Sequence, residues 1–172
     1  VVRLSARMPA SLRRRGLASG PVGRGAAIFA SVCRDRGLGI AAAGAGSGDG
    51  ALGPWQLWIS DATPGELKRA ALYIEEGSWL GQLLDIDVAA ADGPVGRAAL
   101  CLPPRACVVC GAPAAACSGR GAHDPAVVEA AFAAILKRSA SAHEPGSPDG
   151  SAVGADPSPN VAEIETEGGD TP

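Results

Sequence analysis

The 172 residues are 47 % hydrophobic and 19 % charged with a formal net charge of −3, a composition for one globular domain with appendages. No run approaches the roughly 18 apolar residues that a membrane span requires, and no secretory signal is evident, so a cytoplasmic protein with neither a membrane nor a nucleic-acid partner is expected. The charge is unevenly spread: residues 1–36 hold eight arginines and one acid, Asp35, whereas residues 139–172 hold seven acids and no lysine or arginine.

In chain order, residues 1–19 include RLSARMPASLRRRG, whose composition overlaps that of transit peptides, and are expected to be a poorly ordered or truncated lead. A helix is predicted over about 24–36, with Ile28, Phe29, Val32 and Cys33 facing inward and Gly37 ending it. The stretch AAAGAGSGDGALGP (41–54) reads as a flexible loop, and its glycines lack phosphate-loop spacing. Three strands are predicted: WQLWIS (55–60), ALYIEE (71–76) and LLDIDVA (83–89). Their short connections favour antiparallel neighbours. A last helix starts with Asp124 as cap and Pro125 in its first turn. Its apolar stripe is Val127, Val128, Ala131, Phe132, Ile135 and Leu136. The Pro-, Gly- and acid-rich tail 139–172 is expected to be disordered. The fold class is therefore α+β: a small, mostly antiparallel sheet flanked by helices within residues 20–138.

Three groups of side chains carry chemistry. Asp85 and Asp87 lie one residue apart in a predicted strand, so the period of two points both to one face. Like charges that close need either open water or a cation between them. Cys107, Cys110, Cys117 and His123 are spaced C-x2-C-x6-C-x5-H. Three thiolates and an imidazole suit tetrahedral Zn²⁺, while reduced thiols packing a turn-rich lobe and a regulatory disulfide remain open. Between residues 70 and 136 the only basic side chains besides His123 are Arg97, Arg105 and Arg120, and guanidinium forks suit phosphate oxygens. Cys33 stands apart and reads as a small buried apolar residue.

The stretch LGQLLDIDVAAADGPVGRAALCLPPRACVVCGAPAAACSGRGAH (80–123) resembles the citrate lyase holo-[acyl-carrier-protein] synthases, the apo-citrate lyase phosphoribosyl-dephospho-CoA transferases. That family's signature runs L-G-R-L-W-D-I-D-V, S-R, L-P-P-R-R-C-L-L-C, a further cysteine and a final histidine. Its counterparts are Leu80-Gly81, Asp85-Ile86-Asp87-Val88, Arg97, Leu102-Pro103-Pro104-Arg105, Cys107, Cys110, Cys117 and His123. Upstream, GPVGRGAAIF (20–29) is similar to the family's G-P-x-K-x-S segment. The chain departs from the pattern at Leu84, where an aromatic is usual, at Ala106, where a second arginine is usual, and at Ser78-Trp79, where a histidine is usual. In 20–29 the basic position falls at Gly23 or shifts to Arg24, and 1–19 shows no clear counterpart of the family's Arg-rich lead.

The resemblance implies a nucleotidyltransferase-like fold and a nucleotidyltransferase-type displacement at phosphorus. The 2'-(5''-phosphoribosyl)-3'-dephospho-CoA group would pass from triphosphoribosyl-dephospho-CoA to a serine of the citrate lyase acyl carrier protein, the gamma subunit, with release of diphosphate. Asp85 and Asp87 would be the catalytic pair and hold Mg²⁺, and Arg97, Arg105 and Arg120 would bind the substrate. The rival readings are a non-catalytic, cysteine-rich and zinc-holding binding module, and an inactive, truncated relative of the enzyme.

Overall fold

The computed structural model describes residues 1–47 and 53–141. Five strands form one sheet in the order β2-β3-β1-β4-β5, every neighbouring pair antiparallel. They are β1 (Val2–Ala6), β2 (Ala41–Gly46), β3 (Trp55–Ile59), β4 (Leu84–Ala90) and β5 (Gly93–Pro94). The helices are α1 (Ala10–Arg14), α2 (Ser19–Asp35), α3 (Pro64–Gly77), α4 (Ala114–Gly119) and α5 (Pro125–Ser141). The fold is α+β, as the sequence predicts. No helix among the described residues is long and apolar enough to cross a membrane.

The segment expected to be a poorly ordered lead contains the central strand. β1 pairs with β3 on one side and β4 on the other. Val2 and Leu4 are completely buried, and alternation places them on one face while Arg3 and Ser5 take the other. The inner face, with Ile86 and Val88 of β4 and Trp58 of β3, joins a core with Phe29 and Cys33 of α2 and Leu67, Ala70, Ala71 and Ile74 of α3. Phe29 and Trp58 meet as tilted rings with centroids 5.0 Å apart, a spacing at which aromatic pairs attract beyond their burial.

ALYIEE is not a strand. It lies inside α3, whose start is a capping box: the Thr63 hydroxyl accepts from the Glu66 N–H at 3.3 Å, and the Glu66 carboxylate accepts from the Thr63 N–H at 3.2 Å. Pro64 occupies the first turn, where its missing N–H costs nothing. The spacing Leu67, Ala70, Ala71, Ile74 then buries one helical stripe. In the stretch 41–54, residues 41–46 form edge strand β2 rather than a loop, with a register shift between Ala42 and Gly44. The remainder of that expected loop includes residues outside those described. The first predicted helix begins earlier, at Ser19, and Ile28 is exposed on it rather than inward. Val127, assigned to the apolar stripe of α5, is likewise exposed, whereas Phe132 is buried. Asp124 caps α5 as expected, accepting from the Ala126 N–H at 2.7 Å. Most of the expected disordered tail lies outside the described residues.

One tight 3₁₀ turn, Leu80–Leu83, leads from α3 into β4. A Cβ on Gly81 would lie 2.6 Å from the Glu75 carbonyl carbon and nearer still to the Ile74 carbonyl oxygen. The glycine of the L-G motif is thus needed for close backbone approach.

Candidate functional site

The outer edge of β4 is finished by side chains. Ile86 donates its N–H to Glu75 Oε1 at 2.8 Å, and its carbonyl accepts from Lys68 Nζ at 2.9 Å. Both side chains come from α3, seven residues apart and therefore on one helical face, and both are buried. Arg105 continues the row, donating from Nη1 to the Leu84 carbonyl at 2.8 Å and from Nη2 to the Gly81 carbonyl. It also lies 3.5 Å from Glu75 Oε1 and 3.7 Å from Asp85 Oδ1. Burial pushes the Glu75 carboxyl up, with Lys68 and Arg105 opposing that shift. These contacts satisfy backbone groups that a further strand would otherwise have to pair.

On β4 the burial alternates so that Asp85 and Asp87 are exposed on one face and Leu84, Ile86 and Val88 are buried on the other. In the register, Ser5 stands opposite Asp85 and Arg3 opposite Asp87, and directly opposed residues share a face. Burial and then the neighbouring Asp85 charge raise the Asp87 carboxyl, while Lys68 and Arg3 pull it down. The Asp85 charge thus acts on Asp87 as the spacing implies, and the Lys68 ammonium and Arg3 guanidinium offset part of it.

A cleft of about 760 Å³ opens beside Asp85, within the size range of small-molecule sites. The segment from Ala6 to Arg13 lines it, with Cys107, Cys117 and His123 from the lobe and Glu129 and Phe132 from α5. Arg7 stands in this cleft and donates to the Ala106 carbonyl at 3.0 Å. Its guanidinium is held below its usual value by burial and then by Arg105, with Asp85 opposing. This corner therefore sets two guanidiniums, Arg7 and Arg105, against two carboxylates, Asp85 and Glu75. Across the mouth, Ser11 donates to Glu129 Oε2 at 2.6 Å, and Arg15 pairs with Glu129 at 3.4 Å.

Of the carboxylates and arginines singled out from the sequence, Asp85 lines the cleft; Asp87 and Arg105 are not among the described residues that line it, although Arg105 lies 3.7 Å from Asp85. Arg97 instead donates from Nε to the Pro103 carbonyl at 2.7 Å and pairs with Glu76. Arg120 is exposed and donates to the Ala116 carbonyl at 3.2 Å. Neither Arg97 nor Arg120 is among the described residues that line the cleft. Arg7 and Arg13 do line it, and the arginine-rich composition of 1–19 hides them. The signal that marks Arg7 is its position just after the alternating V-R-L-S-A, at the end of a strand.

Cys107, Cys110, Cys117 and His123 converge, with one ligand atom from each lying within 4.8 Å of every other. Cys107 Sγ is 3.4 Å from His123 Nε2, and Cys110 Sγ is 3.6 Å from Cys117 Sγ. Backbone N–H groups of Val109 and Cys110 hold the Cys107 thiol down, at about 6. Cys117 is pushed up to about 11, chiefly through its hydrogen bond with Cys110 and then by burial.

The fold and this site define an α+β protein whose cleft sets carboxylates against guanidiniums, beside a group of residues that could hold a metal. The chain belongs to the apo-citrate lyase phosphoribosyl-dephospho-CoA transferase family (CitX), whose pattern matches residues 2–139. It is thus a member of a transferase family. No curated protein matches the chain. The family match starts within β1, so the lead expected to lie outside the resemblance belongs to it.

Proposed function

We propose that this protein, acting in the cytoplasm, transfers the 2'-(5''-phosphoribosyl)-3'-dephospho-CoA group from its triphosphate donor to a serine of the citrate lyase acyl carrier protein. The serine Oγ attacks the donor phosphorus, the bond to the diphosphate breaks, the serine proton passes to water, and a phosphodiester and free diphosphate result. The observation that carries this reading is the position of Asp85 at the edge of a cleft that also contains Arg7. Family membership supplies the substrate class.

Phosphoryl-group chemistry of this type depends on positioning and on stabilising charge. Arg7, which lines the cleft, is suited to engage the donor's phosphate oxygens through its guanidinium N–H groups, while Arg105, whose Nη1 and Nη2 hold the Leu84 and Gly81 carbonyls, adds positive charge behind Asp85. Asp85 orients Arg105 from 3.7 Å and, with Asp87, provides oxygen ligands on one open face. Such a pair fits Mg²⁺, which binds through one or two carboxylates plus substrate phosphates. When bound, the ion would neutralise charge on the triphosphate and on the departing diphosphate. His123 is not assigned a proton-transfer role, since its Nε2 is directed at the Cys107 sulfur.

The test is incubation of the full chain with triphosphoribosyl-dephospho-CoA, Mg²⁺ and apo-acyl carrier protein, read by the mass of the intact carrier. One added prosthetic group is expected. Asp85→Asn and Asp87→Asn are each expected to lower the rate by about 100-fold or more, with the circular dichroism spectrum unchanged because both side chains are exposed. A carrier left unmodified by a correctly folded wild-type chain would overturn the transferase reading and favour the cysteine-rich binding module.

A further inference from the structure

The lobe that walls the cleft has almost no apolar interior. From Gly96 to Ala131, Cys117 is the one buried residue, and Val108 and Val128 are partly buried against the main core. A segment of that kind cannot hold its shape by hydrophobic burial, yet its backbone is closely folded. The Cys107 N–H reaches the Ala112 carbonyl at 2.7 Å, the Ala114 N–H reaches the Arg105 carbonyl at 2.8 Å, and the Gly111 N–H reaches the Cys107 carbonyl at 2.9 Å. Gly111 closes this small hairpin at φ 76°, and the N–H groups of Val109 and Cys110 are directed at the Cys107 sulfur. Helix α4 then carries Cys117 back to the turn. A second tight turn, with the Ala122 N–H on the Cys117 carbonyl at 2.9 Å and Gly121 at φ 57°, delivers His123.

Four protein ligands from three separate backbone pieces thus surround one point. Tetrahedral Zn²⁺ with bonds near 2.3 Å to sulfur and 2.0 Å to nitrogen has ligand–ligand edges of about 3.5–3.8 Å. Cys107 Sγ to His123 Nε2 at 3.4 Å and Cys110 Sγ to Cys117 Sγ at 3.6 Å are close to that figure, and every other edge of the group is within 4.8 Å. A disulfide between Cys110 and Cys117 would draw the sulfurs to about 2.05 Å and leave Cys107 and His123 without a common purpose. Oxygen-preferring cations such as Mg²⁺ do not suit this donor set, whereas three soft thiolates and one imidazole do suit zinc.

We propose that Cys107, Cys110, Cys117 and His123 bind one structural Zn²⁺ that staples the lobe into the wall of the cleft. All four coordination positions are filled by protein, which is the arrangement of a structural rather than a catalytic site. Three thiolates on one dication leave a net charge of −1 inside the wall. The ion takes the place of the missing hydrophobic core and fixes Cys107, Cys117 and His123, the ligands that also line the cleft. This assignment is independent of the transfer reaction.

The test uses the full chain purified under reducing conditions without added metal, with zinc counted by inductively coupled plasma mass spectrometry. One zinc per chain is expected, and Cys110→Ser is expected to bring the content close to zero, while Cys101→Ser, outside the group, keeps it. If Cys110→Ser proves insoluble, the wild-type chain decides. Cobalt substituted for zinc should give the intense visible bands of a tetrahedral thiolate site, and stripping the metal should loosen the lobe's backbone so that trypsin cleaves faster after Arg105 and Arg120. Metal-free wild-type protein with freely reactive thiols, a Cys110–Cys117 disulfide in freshly reduced protein, or full zinc retention in Cys110→Ser would each overturn the proposal. None of these outcomes depends on transfer activity.

Discussion

Replacing Lys68 by methionine isolates the clamp that closes the edge of β4. Methionine keeps most of the buried aliphatic stem but removes the ammonium. Two losses follow. The Ile86 carbonyl, which accepts from Lys68 Nζ at 2.9 Å in a buried position, is left without that donor, and an orphaned buried acceptor costs about 1–3 kcal/mol. Glu75, 4.0 Å from Lys68, loses one of its cations. Breaking a buried pair outright costs about 3–5 kcal/mol, but Arg105 remains 3.5 Å away and the Ile86 N–H still donates to Glu75, so only part of that cost applies. A total near 3 kcal/mol is expected for Lys68→Met, a large share of the 5–15 kcal/mol that stabilises a typical domain. Urea unfolding followed by the fluorescence of Trp55, Trp58 and Trp79 measures it, with Arg69→Met on the exposed side of α3 as a control expected within about 0.5 kcal/mol of wild type. Hydrogen exchange at the Ile86 amide reports the same clamp locally and should accelerate. A loss below about 1 kcal/mol with the Ile86 amide still protected would refute the role of Lys68 as an edge clamp.

Gly81→Ala should cost about 3 kcal/mol or more, or prevent folding, because its Cβ would strike the Ile74 and Glu75 backbone. Gly77→Ala, whose Cβ meets nothing within 4 Å, should be neutral or stabilising by up to about 1 kcal/mol in the same urea assay. For Glu75→Gln the expectation concerns pH. The folded-state carboxyl is raised above 4.5 by burial, so the stability linked to this group is full below its ordinary value and lost as pH rises through the raised one. Glutamine does not titrate, so the stability of wild type relative to Glu75→Gln should fall from acid towards neutral pH. A series of urea titrations checks this, and a difference that grows with pH would contradict burial as the dominant cause.

Much of the site was legible before the fold was known, for local reasons. The alternation of L-D-I-D-V is long enough to commit β4 to a strand with both carboxylates on one face, since side-chain direction in a strand depends on parity alone. The Asp124-Pro125 start of α5 is equally local, because capping involves neighbouring backbone groups. The C-x2-C-x6-C-x5-H spacing picks out the four side chains that converge. Their convergence, however, depends on two tight turns and α4 bringing distant backbone together.

ALYIEE shows where local reading fails. Six residues of mixed apolar and acidic character fit a strand as readily as a helix, and the deciding signal lay upstream, in the Thr63-Pro64-Gly65-Glu66 capping box. Lys68 and Glu75 in turn look like solvated helix charges until β4 is placed against α3, when the free edge at Ile86 gives both a buried partner. The central place of β1 came from pairing with two strands remote in sequence, β3 and β4. Its five residues and the arginines after them carry no local mark of that position. Composition misjudged 1–19 because an average over arginines hides Val2 and Leu4, and with them Arg7 at the cleft. Periodicity and caps act between residues a few positions apart and can be read along the chain. Strand order, the closing of an edge and the meeting of Arg7 with Asp85 depend on which distant surfaces exclude water together, and folding alone settles that.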